Sequence, residues 1–204
     1  MTIRPGVPWG REVERPADLV VVDSDRALVE ALALPGGAPV AVGSGDLART
    51  LGVIGIGHRS TINEFPIDLL CVRLDDSDSP IVACAHVVAR SPWRRGHWLR
   101  GPILAAMNAE FIGDWDVAPR GHPNDGRVEV FEVDASMSVR QRLTARRRLR
   151  TASHVPHPCV STRSVRAGTW SFDRALDVEV DGRLVGRAST LGIEVLPDAA
   201  IVHA

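Results

Sequence analysis

Short apolar runs set off by turn residues dominate the chain, and helical spacing interrupts them only locally. Leu19-Val20-Val21-Val22 and Pro39-Val40-Ala41-Val42 are continuous apolar runs of the kind that form buried strands. Between them Ser24 or Asp25 caps a predicted helix with Ala27, Leu28, Ala31 and Leu32 on one side, stopped by Pro35-Gly36-Gly37. Gly43-Ser44-Gly45 turns the second run into Asp46-Leu47-Ala48-Arg49-Thr50-Leu51, which again has helical spacing. The opening therefore reads β-α-β-turn-α, a fragment of a parallel α/β layer. From Ile67 onward the runs become β-branched and closely punctuated. Strands are predicted at 69–74, 81–88, 128–133, 159–165, 175–180 and 191–196, with one helix inserted at 137–150. Ahead of all this, residues 1–17 read as an irregular arm rich in Pro and Gly, with Trp9 as its anchor. The class is α+β: an α/β fragment over residues 1–62, then a mainly antiparallel β-sandwich with one inserted helix over 63–204.

Composition adds exclusions. The 204 residues carry a net charge of −1, so no bulk electrostatic case exists for nucleic acid. All 24 basic residues are Arg, which removes any role needing a catalytic or phosphate-loop Lys. Cys71, Cys84 and Cys159 are odd in number and widely spaced, as expected of reduced thiols in a cytoplasmic protein. No apolar run approaches the ~18 residues of a membrane span, and the first residues lack the apolar core of a signal peptide.

Candidate chemistry clusters in a few turns. Gly43-Ser44-Gly45 lies between a strand and a helix, where backbone N–H groups can cradle a phosphate or serve only as a turn. His122-Pro123-Asn124-Asp125-Gly126-Arg127 is by spacing an ordinary turn, although one carboxylate among backbone carbonyls also suits Mg²⁺. Asp181-Gly182-Arg183 is by pattern a type I′ hairpin turn. His154, His157 and Cys159 bring soft metal ligands close in sequence, which leaves room for an unrelated metal-dependent enzyme. Arg140, Arg142, Arg146, Arg147, Arg148 and Arg150 crowd the inserted helix, either as a solvated face or as a strip meeting anionic lipid headgroups.

Taken in order, these stretches resemble the bacterial diacylglycerol kinase-like lipid kinases of the NAD-kinase/diacylglycerol kinase superfamily. Asp18 to Glu30 resembles the strand and turn that carries Gly-Gly-Asp-Gly-Thr in that family. Val42 to Gly52 is similar to its Gly-Thr-Gly-Asn-Asp-Phe-Ala-Arg motif, one residue short. Asn108 to Val130 resembles its Asn-Gly, Ala-Pro and Asn-Asp-Gly region, His154 to Val160 a later segment, Val180 to Arg183 its Asp-Gly-Glu turn, and Pro197-Asp198-Ala199 its closing turn. The resemblance implies a NAD-kinase-like lobe, a β-sandwich lobe, ATP and Mg²⁺ as cofactors, and a lipid hydroxyl as phosphoryl acceptor. It places nucleotide contacts at Asp25, Gly43, Ser44, Gly45 and Asp46, and a Mg²⁺ site at Asp125 with the backbone of His122 and Arg127.

The departures shape the expected activity. The opening β-α units of the family's nucleotide lobe have no counterpart, so the lobe reads as truncated. The glycine-rich turn has become Asp23-Ser24-Asp25-Arg26-Ala27, which adds charge where phosphate would sit. Arg183 stands at the general-base position, and a guanidinium accepts no proton at neutral pH. The expectation is an impaired lipid kinase homologue that binds a lipid, a nucleotide fragment or a partner protein. The alternative is an active kinase using Asp181, Asp25 or Asp46 as base, with its site completed by a homodimer. The strand edges of a shortened lobe need cover, from the arm or from a second copy. Membrane contact is expected only at the periphery, through Arg140 to Arg150.

Overall fold

The computed structural model describes residues 8–53 and 55–204. The first residues of the expected arm, Pro5 and Gly6 among them, lie outside the described residues. Within the arm, Arg11–Glu14 form a strand, β1, antiparallel to the start of β4 (Thr61–Leu74). The arm is thus not irregular there, and its Arg-Glu-Val-Glu sequence hides the strand because it lies at a solvent-facing edge of the sheet. Trp9 does anchor it, donating its indole N–H to Pro66 O (3.0 Å) and packing on Phe65 and His122.

The predicted β-α-β unit forms. β2 (Val20–Val22) and β3 (Val40–Val42) pair in parallel around α1 (Asp25–Leu32). Ser24 caps α1 by accepting the Ala27 N–H. After β3, α2 (Asp46–Thr50) starts at Gly45, whose φ of 116° excludes most side chains. The arm covers β4 rather than β2. Val20 and Val21 consequently stay 43% and 49% exposed on the outer edge of the parallel pair.

The rest is sheet with little helix. β5 (Ile81–Ala83), β6 (His86–Arg90), β7 (Ile103–Met107), β10 (Val128–Val133), β11 (Val160–Val165), β12 (Ala167–Val180) and β13 (Arg183–His203) join β1 to β4 in one 11-stranded sheet. Its main path runs β1-β4-β13-β12-β6-β7-β10-β11. A separate hairpin pairs β8 (Phe111–Ile112) with β9 (Trp115–Asp116). The inserted helix, α3 (Val139–Arg148), opens with a capping box between Ser138 and Gln141. Short 3₁₀ turns at Trp93–Arg95 and His97–Leu99, absent from the sequence pattern, lead from β6 towards β7.

The sandwich is one ladder curled on itself rather than two separately paired sheets. Trp170 of β12 donates to Glu132 of β10, and Arg163 of β11 stacks on the Trp170 ring. Leu70 and Val72, Val87 and Ala89, Leu104 and Ala106, and Val128 and Val130 face one interior at the two-residue period of a strand. The opposite phase of β6, β7 and β10 is also buried, with Val88, Ile103, Ala105, Met107 and Phe131 packed beneath the loops that carry α3. A further core joins α1, α2 and β3 to β4 through Leu28, Leu47, Val42 and Ile67. β3 meets the main sheet at the end of β13, where His203 pairs with Ala41.

Candidate functional site

Two places on β6 gather the chemistry. At its start, three carboxylates and a histidine converge between α1, α2 and the β12–β13 turn. The Asp25 side chain leaves the start of α1 and accepts the N–H groups of Asp46 (2.7 Å) and Leu47 (3.0 Å), so it caps α2. A Cβ at Gly45 would stand 2.5 Å from that carboxylate, which explains the glycine. Burial raises the Asp25 pKa to about 7 against the pull of these two amides, and the charges of Asp181 and Asp46 push the same way. Ser44 donates its hydroxyl to the Asp23 carbonyl. Of the amides expected to cradle phosphate around Gly43, Ser44 and Gly45, the Gly43 N–H donates to Val22 O, and the α2 amides go to Asp25.

Asp46 accepts the Gly113 N–H at 2.7 Å and lies 3.4 Å from His86 Nδ1, outside hydrogen-bond geometry. Burial raises its pKa while His86 opposes the shift. Asp181, at φ 47° in the turn before β13, accepts three backbone N–H groups, from Cys84 (3.0 Å), Ala85 (2.9 Å) and His86 (3.0 Å). The Asp181-Gly182 turn therefore does more than reverse the chain. It holds the bend that splits the single expected strand at 81–88 into β5 and β6. Arg183 next to it is exposed. Cys84 donates to Asp25 O, and burial with the Asp181 and Asp25 charges keeps it a thiol.

The His122–Arg127 turn is organised by a residue the pattern did not single out. Asp68, fully buried in β4, accepts from Gly126 N (2.7 Å), Asp198 N (2.8 Å) and Asn124 Nδ2 (3.3 Å). Its signal in the sequence is a lone carboxylate inside the apolar run Ile67 to Val72. Asn108 ties the same region together by donating to Asp68 O and Cys84 O. Asp125 accepts the Arg127 N–H through one oxygen, and burial raises its pKa. His122 accepts from Asn124 N through Nδ1, and the Arg127 guanidinium turns away to Ser164. His154, His157 and Cys159 do not converge as a metal site. His157 Nδ1 accepts the Cys159 N–H, and among the described residues no three His, Cys, Asp or Glu side chains are grouped to hold a metal.

At the other end of β6 lies a cavity of about 530 Å³, within the ~300–1,000 Å³ usual for small-molecule sites. Ile103, Ala105, Phe131 and Val133 of the sheet form its floor, Trp98 and Trp115 its walls, and Leu143, Arg146 and Leu149 its roof. Sequence pattern alone did not reveal it, because the lining comes from segments far apart in the chain. Trp98 and Trp115 meet edge to face at 5.4 Å, with Arg90 over Trp98 and Arg146 over Trp115. Arg142, expected in a solvated basic strip, is instead 5% exposed, and its guanidinium donates to the carbonyls of Met137, Trp98, Gly101 and Asp134. It clamps α3 over the cavity. Arg140, Arg146, Arg147, Arg148 and Arg150 remain exposed, and the mouth presents Trp93 (78% exposed), Leu99 and Leu143. From His86 to Arg90, β6 spans roughly 13 Å at ~3.3 Å per residue, and this separates carboxylates from cavity.

No protein-family model matches the chain, and no curated protein matches it in sequence. Solved structures do match in fold. A structure from Bacillus anthracis str. Sterne, provisionally described as a diacylglycerol kinase, superposes with a TM-score of 0.64 at 14% identity, covering 91% of this chain and 77% of its own. Another, described as a diacylglycerol kinase of the same organism, gives 0.59 at 14% identity over 91% and 75%. Despite that low identity, the chain has a diacylglycerol kinase-like fold.

Proposed function

We propose that this protein binds a long-chain amphiphile in the cavity beneath α3 and transfers phosphoryl groups poorly or not at all. The cavity carries the reading: it is apolar, lined by aromatic rings, and its mouth sets exposed Trp93, Leu99 and Leu143 among arginines. Neither residues 93–100 nor residues 137–150 contain an Asp or Glu, so this face is positive although the chain as a whole is not. Such a face suits the anionic surface of a membrane, where each Arg contributes about 1 kcal/mol, and Trp93 suits its interface. The amphiphile would enter from that surface.

Phosphoryl transfer fits the other end of β6 less well. Asp25 and Asp181 accept backbone N–H groups through both oxygens, which fixes each carboxylate against the protein's own backbone rather than toward a bound hydroxyl. The α2 amides that could meet a phosphate are already capped by Asp25. Arg183 supplies no base. A Mg²⁺ ion would be held by Asp125, whose second oxygen is not engaged by the Arg127 amide, in the turn where the His122 carbonyl accepts the Asp125 N–H. It would supply charge compensation for phosphate there.

Titration of the purified chain with 1-monooleoylglycerol, read by tryptophan fluorescence, tests the cavity. Calorimetry with ATP–Mg²⁺ tests the nucleotide site. Saturable lipid binding with no calorimetric signal at millimolar ATP–Mg²⁺ is expected. Absence of lipid binding would overturn the amphiphile reading, and phosphorylation of the lipid at a kinase-like rate would overturn the impaired one.

A further inference from the structure

A second, smaller pocket lies against α3, between the helix and the segment that follows it. It has a volume of about 160 Å³ and is lined by Arg140, Gln141, Thr144, Arg148, His154 and His157. At ~30 Å³ per water it has room for about five waters. That is space for one tetrahedral oxyanion and too little for a nucleotide. No Asp or Glu lines it.

Its polar side chains are turned out as donors. Arg140 and Arg148 stand on α3 about 12 Å apart along the helix axis, with Thr144 between them. Arg26, Arg90, Arg163 and Arg187 each pair with a carboxylate, whereas among the described residues the guanidinium groups of Arg140 and Arg148 pair with none. Gln141 gives its amide oxygen to Ser138 in the capping box, so its Nε2 N–H groups are the free end. His157 accepts the Cys159 N–H at Nδ1 (3.1 Å), which places the proton of the neutral ring on Nε2.

His154 supplies an independent sign of a ligand. It is 6% exposed, and neither ring nitrogen has a hydrogen-bond partner among the described residues. The Val117 carbonyl lies near enough to favour a proton on the ring, yet outside hydrogen-bond geometry. An imidazole buried without partners is costly to fold around. The carboxylate whose charge reaches this ring, Asp116, is not part of the pocket lining. Neutral or protonated, the ring has an N–H to offer an anion.

We infer that this pocket binds a phosphate dianion, held by Arg140 and Arg148 and completed by N–H groups of Gln141, His154 and His157. Phosphate suits it because four oxygens accept from several directions at once, and guanidinium groups meet them in pairs. Free phosphate and the terminal phosphate of a monoester share this chemistry. Such a site differs from the diffuse attraction of an Arg-rich face to a membrane, because it depends on two particular arginines. It does not rest on the amphiphile reading.

Calorimetric titration of the whole chain with inorganic phosphate tests the site, with ionic strength held constant by chloride. One site per chain with a Kd of about 1 mM or tighter is expected. Arg140→Gln with Arg148→Gln should weaken binding about tenfold or more, as loss of a charge-assisted hydrogen bond does. Arg147→Gln with Arg150→Gln removes the same charge outside the pocket and should leave the Kd within about twofold. His154→Phe should weaken binding roughly threefold or more. Should that variant fail to fold, the two arginine pairs still decide. A Kd weaker than about 1 mM overturns the inference, and so does an equal loss in both arginine pairs, the mark of diffuse attraction. Vesicles of phosphatidylcholine with and without phosphatidate separate the sources. Competition with phosphate by the phosphatidate vesicles alone supports the site with a lipid head as its anion, and no competition by either supports it with a soluble one.

Discussion

The two ends of β6 treat their polar groups in opposite ways. Around His86, carboxylates are numerous, and each is bound into the fold: Asp25 caps α2, Asp46 holds Gly113, and Asp181 gathers the amides of residues 84–86. At the far end Arg90 pairs with Glu179, and beyond it the two ring nitrogens of His154 and one Asp116 oxygen have no hydrogen-bond partner among the described residues. The first end has the composition of an active site and the bonding of a scaffold. The second has the composition of a core and encloses a cavity. Residue identity alone would have ranked them the other way, since catalysis and structure draw on the same carboxylates and differ only in where the lone pairs go.

The largest expected effect breaks the scaffold end. Asp181→Ala leaves the N–H groups of Cys84, Ala85 and His86 without an acceptor, at a cost of about 3 kcal/mol or more. Thermal denaturation should show a Tm lower by roughly 6–12 °C, and a change of under a degree would show that Asp181 is not structural. Arg142→Met should cost somewhat less, about 2–3 kcal/mol. It would also release α3 from the cavity, so lipid binding should fall further than stability does. Unchanged lipid binding in this variant would separate the cavity from its roof.

Smaller effects sharpen the contrast. Replacing Arg146 and Arg147 with Gln should weaken binding to anionic vesicles by about 2 kcal/mol, with an effect that shrinks as salt is raised. Co-sedimentation that ignores both the substitutions and the salt would point to apolar contact alone. The remaining effect is on pH dependence. The Asp25 pKa is about 7 in the fold against 3.8 for an ordinary Asp, so the folded chain holds a proton that the unfolded chain has lost. Its contribution is full below about pH 4 and falls away as pH rises to about 7. Stability curves of the native chain and Asp25→Asn should therefore differ in slope within that window and run parallel above it. Parallel curves throughout would show that Asp25 is ionised in the fold.

Much of this architecture is legible in the sequence wherever local chemistry decides it. Ser24 before an apolar-spaced run announces α1, Val128 to Val133 reads as β10, and the helical stretch read at 137–150 contains α3. β7 escaped because Ile-Leu-Ala-Ala-Met is buried on both faces and shows neither period. The lengths of β12 and β13 escaped because bulges shift their registers within each run. Arg142 could not be told from its exposed neighbours, since burial depends on which carbonyls the fold brings near. The cavity could not be read at all, because no local rule joins Trp98, Trp115, Phe131 and His154.

β13 runs for 21 residues and is the last of the described elements to leave the ribosome. It is also the strand that β4 and β12 share, and the one through which β3 meets the main sheet. Until it emerges, β4 and β12 each lack a long neighbour, and Leu70, Val72 and Leu176 lack their register partners Val195, Ile193 and Ala188. The nascent chain thus exposes sticky strand edges until β13 has emerged. Its yield in a cell should depend on how quickly translation finishes and on the holdases that shield those edges meanwhile.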